Sequence, residues 1–247
     1  MIRGMYASAS GMLTGIARQD LLANNLANVD TVGYLGTRSA TQAFVLALST
    51  ASQAGNLLRG GGGPVAATLD TAEGPVKPTG NKFDLAIIGG TDAGSCAMFA
   101  VQTPQGLQFT RDGRFQLNGA GRLVDARGNP VVGVNGFIDL SPTGDFSVSE
   151  TGEVKSGGKS VGQLLIAQLP SKSLQAAGAG LYTSSGQPKL STTARIVQGS
   201  LEESNVSAVA EMAAMLDNSR YYDANAAALK EQDQSVQELV SQVMESS

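Results

Sequence analysis

From the first residues onward, apolar positions recur at alternating steps of three and four. Ile2, Met5, Ala9, Met12, Ile16, Gln19, Ala23 and Leu26 form one seam with a single polar break. That period predicts an amphipathic helix of about 28 residues, roughly 40 Å long at 1.5 Å per residue. The other end of the chain repeats the pattern through Met212, Met215, Ser219, Tyr222, Ala226, Leu229, Asp233, Val236, Val240 and Val243. Asn205 is a candidate N-cap for this second helix, which is predicted to begin near Val206, because its side-chain oxygen can accept from the open amides of a first turn.

Between the two seams the period changes. Residues 36–80 mix Ser, Thr, Ala and Gly and contain the run Arg59-Gly60-Gly61-Gly62-Gly63-Pro64, which predicts an extended connector with a flexible break. From about Asn81 to Leu190, short apolar runs are punctuated by Gly, Asn, Asp and Pro. FDLAII, AMFAVQT, LQFTRD, RFQLN, RLVDA, PVVGV, FIDLS, DFSVS and QLLIAQLP all qualify as strands, separated by turns such as Pro104-Gln105-Gly106 and Asn118-Gly119-Ala120-Gly121. The pattern predicts an α+β chain. Its parts are an N-terminal helix in 1–35, a connector in 36–80, an antiparallel β domain in 81–190, and a return segment with the C-terminal helix in 191–247.

Composition narrows the chemistry. The chain has no histidine and one cysteine, Cys96, which excludes Ser-His-Asp and Cys-His nucleophiles, an internal disulfide and a cysteine metal cluster. Gly158-Lys159-Ser160 resembles half a phosphate loop, but Glu153 stands where the earlier glycine belongs, and Gly89-Gly90-Thr91-Asp92-Ala93-Gly94 has Thr91 where a dinucleotide loop needs glycine. Asp84, Asp92, Asp112 and Asp125 could supply paired carboxylates, yet two of them sit at turns where a carboxylate commonly caps backbone amides. Cys96 reads as a small buried residue. Neither an enzyme nor a cofactor site is expected, and no small-molecule substrate.

Charge adds a second restriction. Residues 201–247 carry nine of the 21 acids and two of the 17 bases, so the net charge of −4 belongs to the C-terminal segment. No basic stripe is available for phosphates and there is no tryptophan for base stacking, so nucleic acid is not an expected partner. No apolar run approaches the roughly 18 residues of a membrane span, and the N-terminus has no secretory-type apolar stretch, so neither membrane insertion nor export through a cleaved signal is expected.

Three segments carry a resemblance: ASGM…NNLANVDTVGY near the N-terminus, FTRDGRFQLNGAGRLVDARGNPVVG in the middle and QGSLEESNVSAVAEM near the C-terminus. In this order the chain resembles the bacterial flagellar basal-body rod proteins, with the F-type proximal-rod subunits nearest and the G-type distal-rod subunits next. Ala9-Ser10-Gly11-Met12, Asn24-Asn25-Leu26-Ala27-Asn28, Thr31 and Gly33-Tyr34 fall on the N-terminal motif. Leu201-Glu202, Ser204-Asn205-Val206, Val209 and Glu211-Met212 fall on the C-terminal one. The resemblance implies that the terminal helices form the coiled-coil-like inner tube of a hollow polymer in the rod crossing the periplasm, with the β domain outside. It also implies three kinds of partner: copies of this chain, other axial (rod and hook) proteins, and the flagellar type III export apparatus.

On this reading the subunit contacts are expected at Met5, Met12, Ile16, Asn24, Asn25, Leu26, Asn28, Met212, Met215, Tyr222, Leu229, Val236 and Val240. Asn24, Asn25 and Asn28 lie three or four apart, so they share a helix face on which hydrogen-bonded amides can fix registry at some cost in stability. Asn28 can adopt the left-handed conformation that ends a helix, and Gly33 can make the turn that directs the chain outward to Tyr34.

Overall fold

The computed structural model describes residues 2–40, 66–91, 94–140 and 145–245. The Arg59–Pro64 run and Asp92 lie outside the described residues. The chain divides into two compact units: one comprises Met1–Ala27, Thr37–Thr68 and Ala208–Ser247, the other Asn28–Gly36 and Leu69–Ser207.

The first unit is built on two helices, α1 (Ile2–Ala27) and α2 (Ala208–Glu245), which pack along each other. At 1.5 Å per residue they run to about 39 and 57 Å. α2 begins at Ala208, and Asn205 does not cap it. The side-chain amide of Asn205 is engaged elsewhere, and just ahead of the helix the Ser204 hydroxyl accepts from the Val206 amide at 3.2 Å. A pair of short strands, Thr37–Ala40 and Ala66–Leu69, falls within the stretch expected as connector.

The second unit is antiparallel β. Its central sheet has six strands in the order Leu174–Gly178, Leu181–Ser184, Gly106–Thr110, Ser95–Thr103, Ile166–Pro170 and Lys189–Leu190. The strand Ser95–Thr103 explains why the sequence SCAMFAVQT lacks alternation. Ala97, Phe99 and Val101 join one core with Leu85, Ile87, Phe115 and Ile166, while Cys96, Met98 and Ala100 join a second with Phe109, Leu169, Tyr182 and Leu35. Successive side chains point to opposite faces, and both faces are covered, so every position from Cys96 to Val101 is apolar.

Smaller ladders surround this sheet. Leu85–Ile88 pairs with Arg195–Gln198, Val76–Pro78 with Ser200–Glu202, and Phe146–Val148, Glu153–Ser156 and Lys159–Gln163 form a three-stranded sheet. Lys159 and Ser160 therefore open a strand after the Gly157–Gly158 turn, both glycines having positive φ.

Candidate functional site: motif junction and helix pair

The N-terminal motif does not stop where α1 ends. In the second unit, the segment Asn28–Gly36 is part of the β fold, and Leu35 is 1% exposed within the second core. Gly33 has φ +66°, and a Cβ there would overlap the backbone of Arg111 and Asp112. Glycine alone satisfies both conditions, since it tolerates the left-handed region and lets another backbone approach its Cα. Its N–H donates to the Glu202 carbonyl at 2.8 Å, which ties the N-terminal motif to the C-terminal one. Asn28 is not left-handed: Ala179 is the sole described non-glycine residue with positive φ. Asn28 instead opens a turn in which its carbonyl accepts from the Thr31 N–H at 3.1 Å, and its side-chain oxygen accepts from the Thr31 hydroxyl at 3.3 Å.

Two side chains of the second unit complete this junction. Asn205 accepts from the Gly36 N–H at 2.8 Å and donates to the carbonyls of Asp70 and Ala72 at 2.8 and 2.9 Å, so one amide fastens three backbone groups. Beneath them lies a buried ion pair. Arg111 and Glu202 are 0% and 1% exposed and meet at 2.8 Å. The guanidinium also donates to the Ile87 carbonyl and to Cys96 Sγ, and the carboxylate accepts from the Gly74 N–H. Burial pushes the Glu202 carboxyl up from its ordinary value, with Arg111 and the Gly74 amide opposing. Burial likewise pushes the Cys96 thiol up, so it is no nucleophile despite its arginine neighbour.

In the first unit the helices run antiparallel. A Cβ at Gly4 would sit 2.7 Å from the Gln232 amide, and one at Gly11 would sit 2.6 Å from the Asn225 amide. A Cβ at Gly15 would make ordinary contact with the Tyr222 ring at 3.6 Å, and Asn218 donates to the Gly15 carbonyl and to Gln19 Oε1, both at 2.8 Å. At the far end Asn25, 3% exposed, donates to Glu211 at 3.4 Å and exchanges two hydrogen bonds of 2.9 Å with the backbone of Thr37. The inward line of α2 is therefore Glu211, Asn218, Asn225 and Gln232 at heptad spacing, with Met215, Tyr222, Leu229 and Val236 half-buried beside it.

This line is one residue out of phase with half of the seam read from the sequence. Ser219 and Asp233 are exposed, Met212 is 48% exposed, and on α1 Ile16 is 48% exposed and Asn24 also faces outward. Met5, Met12 and Leu26 are half-buried, Tyr34 is half-buried in the second unit, and the side chain of Val240 lies outside the described residues. Sequence reading missed Asn218, Asn225 and Gln232. Their heptad spacing was available, but amides register as breaks in an apolar pattern.

The candidate carboxylates have structural partners. Asp84 accepts from the Thr79 hydroxyl and the Asn81 amide, Asp112 pairs with Arg114, and Asp125 accepts from the Arg127 and Asn129 amides across a turn. Among the described residues no group of three or more His, Cys, Asp or Glu side chains could hold a metal ion, and no helix is long and apolar enough to cross a membrane.

Three family models match the chain, and they fall on these parts. The flagella basal body rod protein model covers residues 5–34, the flagellar hook protein FlgE/F/G D1 domain covers 95–156, and the flagellar basal body rod FlgEFG protein C-terminal model covers 197–242. Among curated proteins, the flagellar basal-body rod protein FlgF of Caulobacter vibrioides is 33% identical over 234 residues, 90% of each chain. FlgG of Bacillus subtilis is 31% identical over 97% of this chain and 98% of its own. FlgF of Mesorhizobium japonicum is 30% identical over 96% and 95%. With both ends and the centre matched over nearly its whole length, the chain belongs to the flagellar basal-body rod proteins, of the F or G type.

Proposed function

We propose that this chain is a non-enzymatic structural subunit of the rod, built into the axial structure through its two terminal helices, which form a coiled-coil-like inner tube that transmits torque and leaves a channel for export. One observation carries the reading. The buried positions of the helix pair are small or polar, Ser8, Gly15, Asn25 and Asn218, while large apolar side chains stand on its outer face. Glycines and amides fill the seam, while Tyr6, Leu13, Ile16, Val209, Met212, Leu216 and Tyr221 are 48% to 75% exposed. Apolar surface of this kind marks an interaction site, and a helix pair with its large side chains turned outward is completed by neighbouring helices. Copies of the chain and other axial proteins supply those neighbours, and delivery falls to the type III export apparatus.

The test introduces Leu13→Glu and Leu216→Glu, singly and together. Each places a charge on the outward face without touching the seam, so incorporation into isolated basal bodies should be lost while the β unit keeps its thermal midpoint. Normal rods assembled from the double variant would overturn the reading.

A further inference from the structure

The helix pair contains a feature that neither burial nor lateral assembly requires. Asn218, Asn225 and Gln232 stand at heptad spacing on α2 and point into the seam, and Asn218 Oδ1 and Gln232 Oε1 are buried without a hydrogen-bond partner. A seam selected for stability alone would carry leucine at these places. Opposite them α1 offers Gly4 and Gly11, whose missing side chains leave the room that the Gln232 and Asn225 amides occupy, and Gly15, whose carbonyl accepts from Asn218. Buried polar groups that lower stability yet persist along one stripe are the means by which helix pairs specify alignment.

We infer that this amide-on-glycine ladder sets the register and antiparallel sense of the helix pair within one chain, with Asn218 as the residue that discriminates against slippage. Heptad spacing by itself would tolerate a slide of one heptad, because Asn225 and Asn218 would then face Gly4 and Gly11. Two features break that degeneracy. Gly15 lies off the seven-residue step of Gly4 and Gly11, so a slide presents Tyr222 with Ser8 or Leu22 in place of Gly15. The slide also separates Asn218 from Gln19, the acceptor it now reaches at 2.8 Å, and breaks the Asn25 to Glu211 bond. A neighbouring subunit that reads the outer face then meets one fixed arrangement of apolar side chains. The ladder lies inside one chain, so it can be tested in solution separately from rod incorporation.

Engineered cysteine pairs read the register directly, since Cys96 is fully buried and does not compete. The pairing of Gly4 with Gln232 and of Gly11 with Asn225 puts Ser8 at the level of Ala228 by interpolation, and a one-heptad slide would put it at the level of Tyr221 or Ser235. In the full-length chain, Ser8→Cys with Ala228→Cys should cross-link about tenfold or more in excess of Ser8→Cys with Tyr221→Cys or Ser235→Cys. That ratio is expected when two or three net hydrogen bonds are lost on sliding. Replacing Asn218, Asn225 and Gln232 by Leu, at similar volume, should keep the helices paired but bring the slipped cross-links up to the native one. Circular dichroism checks that helix content is retained. Equal cross-linking of native and slipped pairs in the amide background, no cross-linking at any pair, or a single register retained in the triple leucine variant would each overturn the inference.

Discussion

At the scale of single residues, Gly33 and the Arg111–Glu202 pair show how much of the family motif serves the β unit. Gly33→Ala forces a side chain into the left-handed region and against the Arg111 backbone. The β unit should lose roughly 2–4 kcal/mol, the range for backbone strain combined with a steric clash. Urea unfolding of the full chain measures it, and an unchanged midpoint would mean the segment relaxes freely. For the ion pair the expected pattern is non-additive. Glu202→Leu alone leaves the Arg111 guanidinium buried without its carboxylate and should cost about 3–5 kcal/mol, whereas Arg111→Met with Glu202→Leu removes both charges and should cost far less. A double variant no better than the single one would show that hydrogen bonds to Gly74 and Ile87, rather than charge, hold this region.

At the scale of elements, the sequence disclosed those structures whose burial is one-sided or complete. The central strand Ser95–Thr103 was legible because apolar residues mark its buried positions, and α1 and α2 because half-buried apolar residues such as Met5, Met12, Met215, Tyr222 and Leu229 recur at helical spacing beside the buried amides. Lys159–Gln163 and Leu174–Gly178 were not, because they are largely exposed and KSVGQ or LQAAG carries no alternation, and Glu153–Ser156 was not, because Val154 is its single apolar residue. Their turns, not their side chains, define them. The asparagines separated in the same way. Asn25 is buried against Thr37 and Glu211 while Asn24 faces outward, a distinction that needs the phase of the helix and not its composition. Phase also gives a prediction for α2. Leu229→Ala, on the half-buried line, should reduce amide protection along both helices, whereas Met212→Ala, 48% exposed, should leave protection intact and weaken only assembly. Hydrogen exchange on the isolated chain distinguishes them, and equal protection in the two variants would contradict the assigned face.

For the whole molecule, the β unit carries a pH dependence of its own. Tyr182 is 2% exposed, accepts from the Leu35 N–H at 3.0 Å, and has its phenol pushed up to about 12, chiefly by burial. The folded state thus holds this proton more tightly than the unfolded chain, whose tyrosines titrate near 10. The stabilisation is complete below about pH 10 and is lost as pH rises toward about 12, a change on the order of 2–3 kcal/mol. Tyr182→Phe should flatten the alkaline limb of the stability curve, and an identical limb in that variant would assign the transition to other groups.

The division into two units also fixes where the chain can be cut. α2 belongs to the first unit, but the strand Ser200–Glu202 and the Asn205 clamp belong to the second, so the β fold is completed only by residues that follow the last strand of its central sheet. A chain ending after Ser207 keeps the ladder to Val76–Pro78, the carboxylate on Arg111 and the three backbone bonds of Asn205. Its β unit should therefore melt within a few degrees of the intact protein, since ΔΔG values near zero shift the midpoint little for a domain of this size. A chain ending after Gly199 loses all three and leaves Arg111 as a buried, unpaired cation, a cost of about 3–5 kcal/mol before the lost strand is counted. Set against a stability of roughly 5–15 kcal/mol, that loss should leave the β unit unfolded or melting well over ten degrees lower. Adding Arg111→Met to the shorter chain removes the unpaired charge and should recover part of the difference, which calorimetry on the three truncated proteins would resolve. If the chain ending after Gly199 melts with the intact protein, the C-terminal motif is not part of the β fold and its residues serve the helix pair alone.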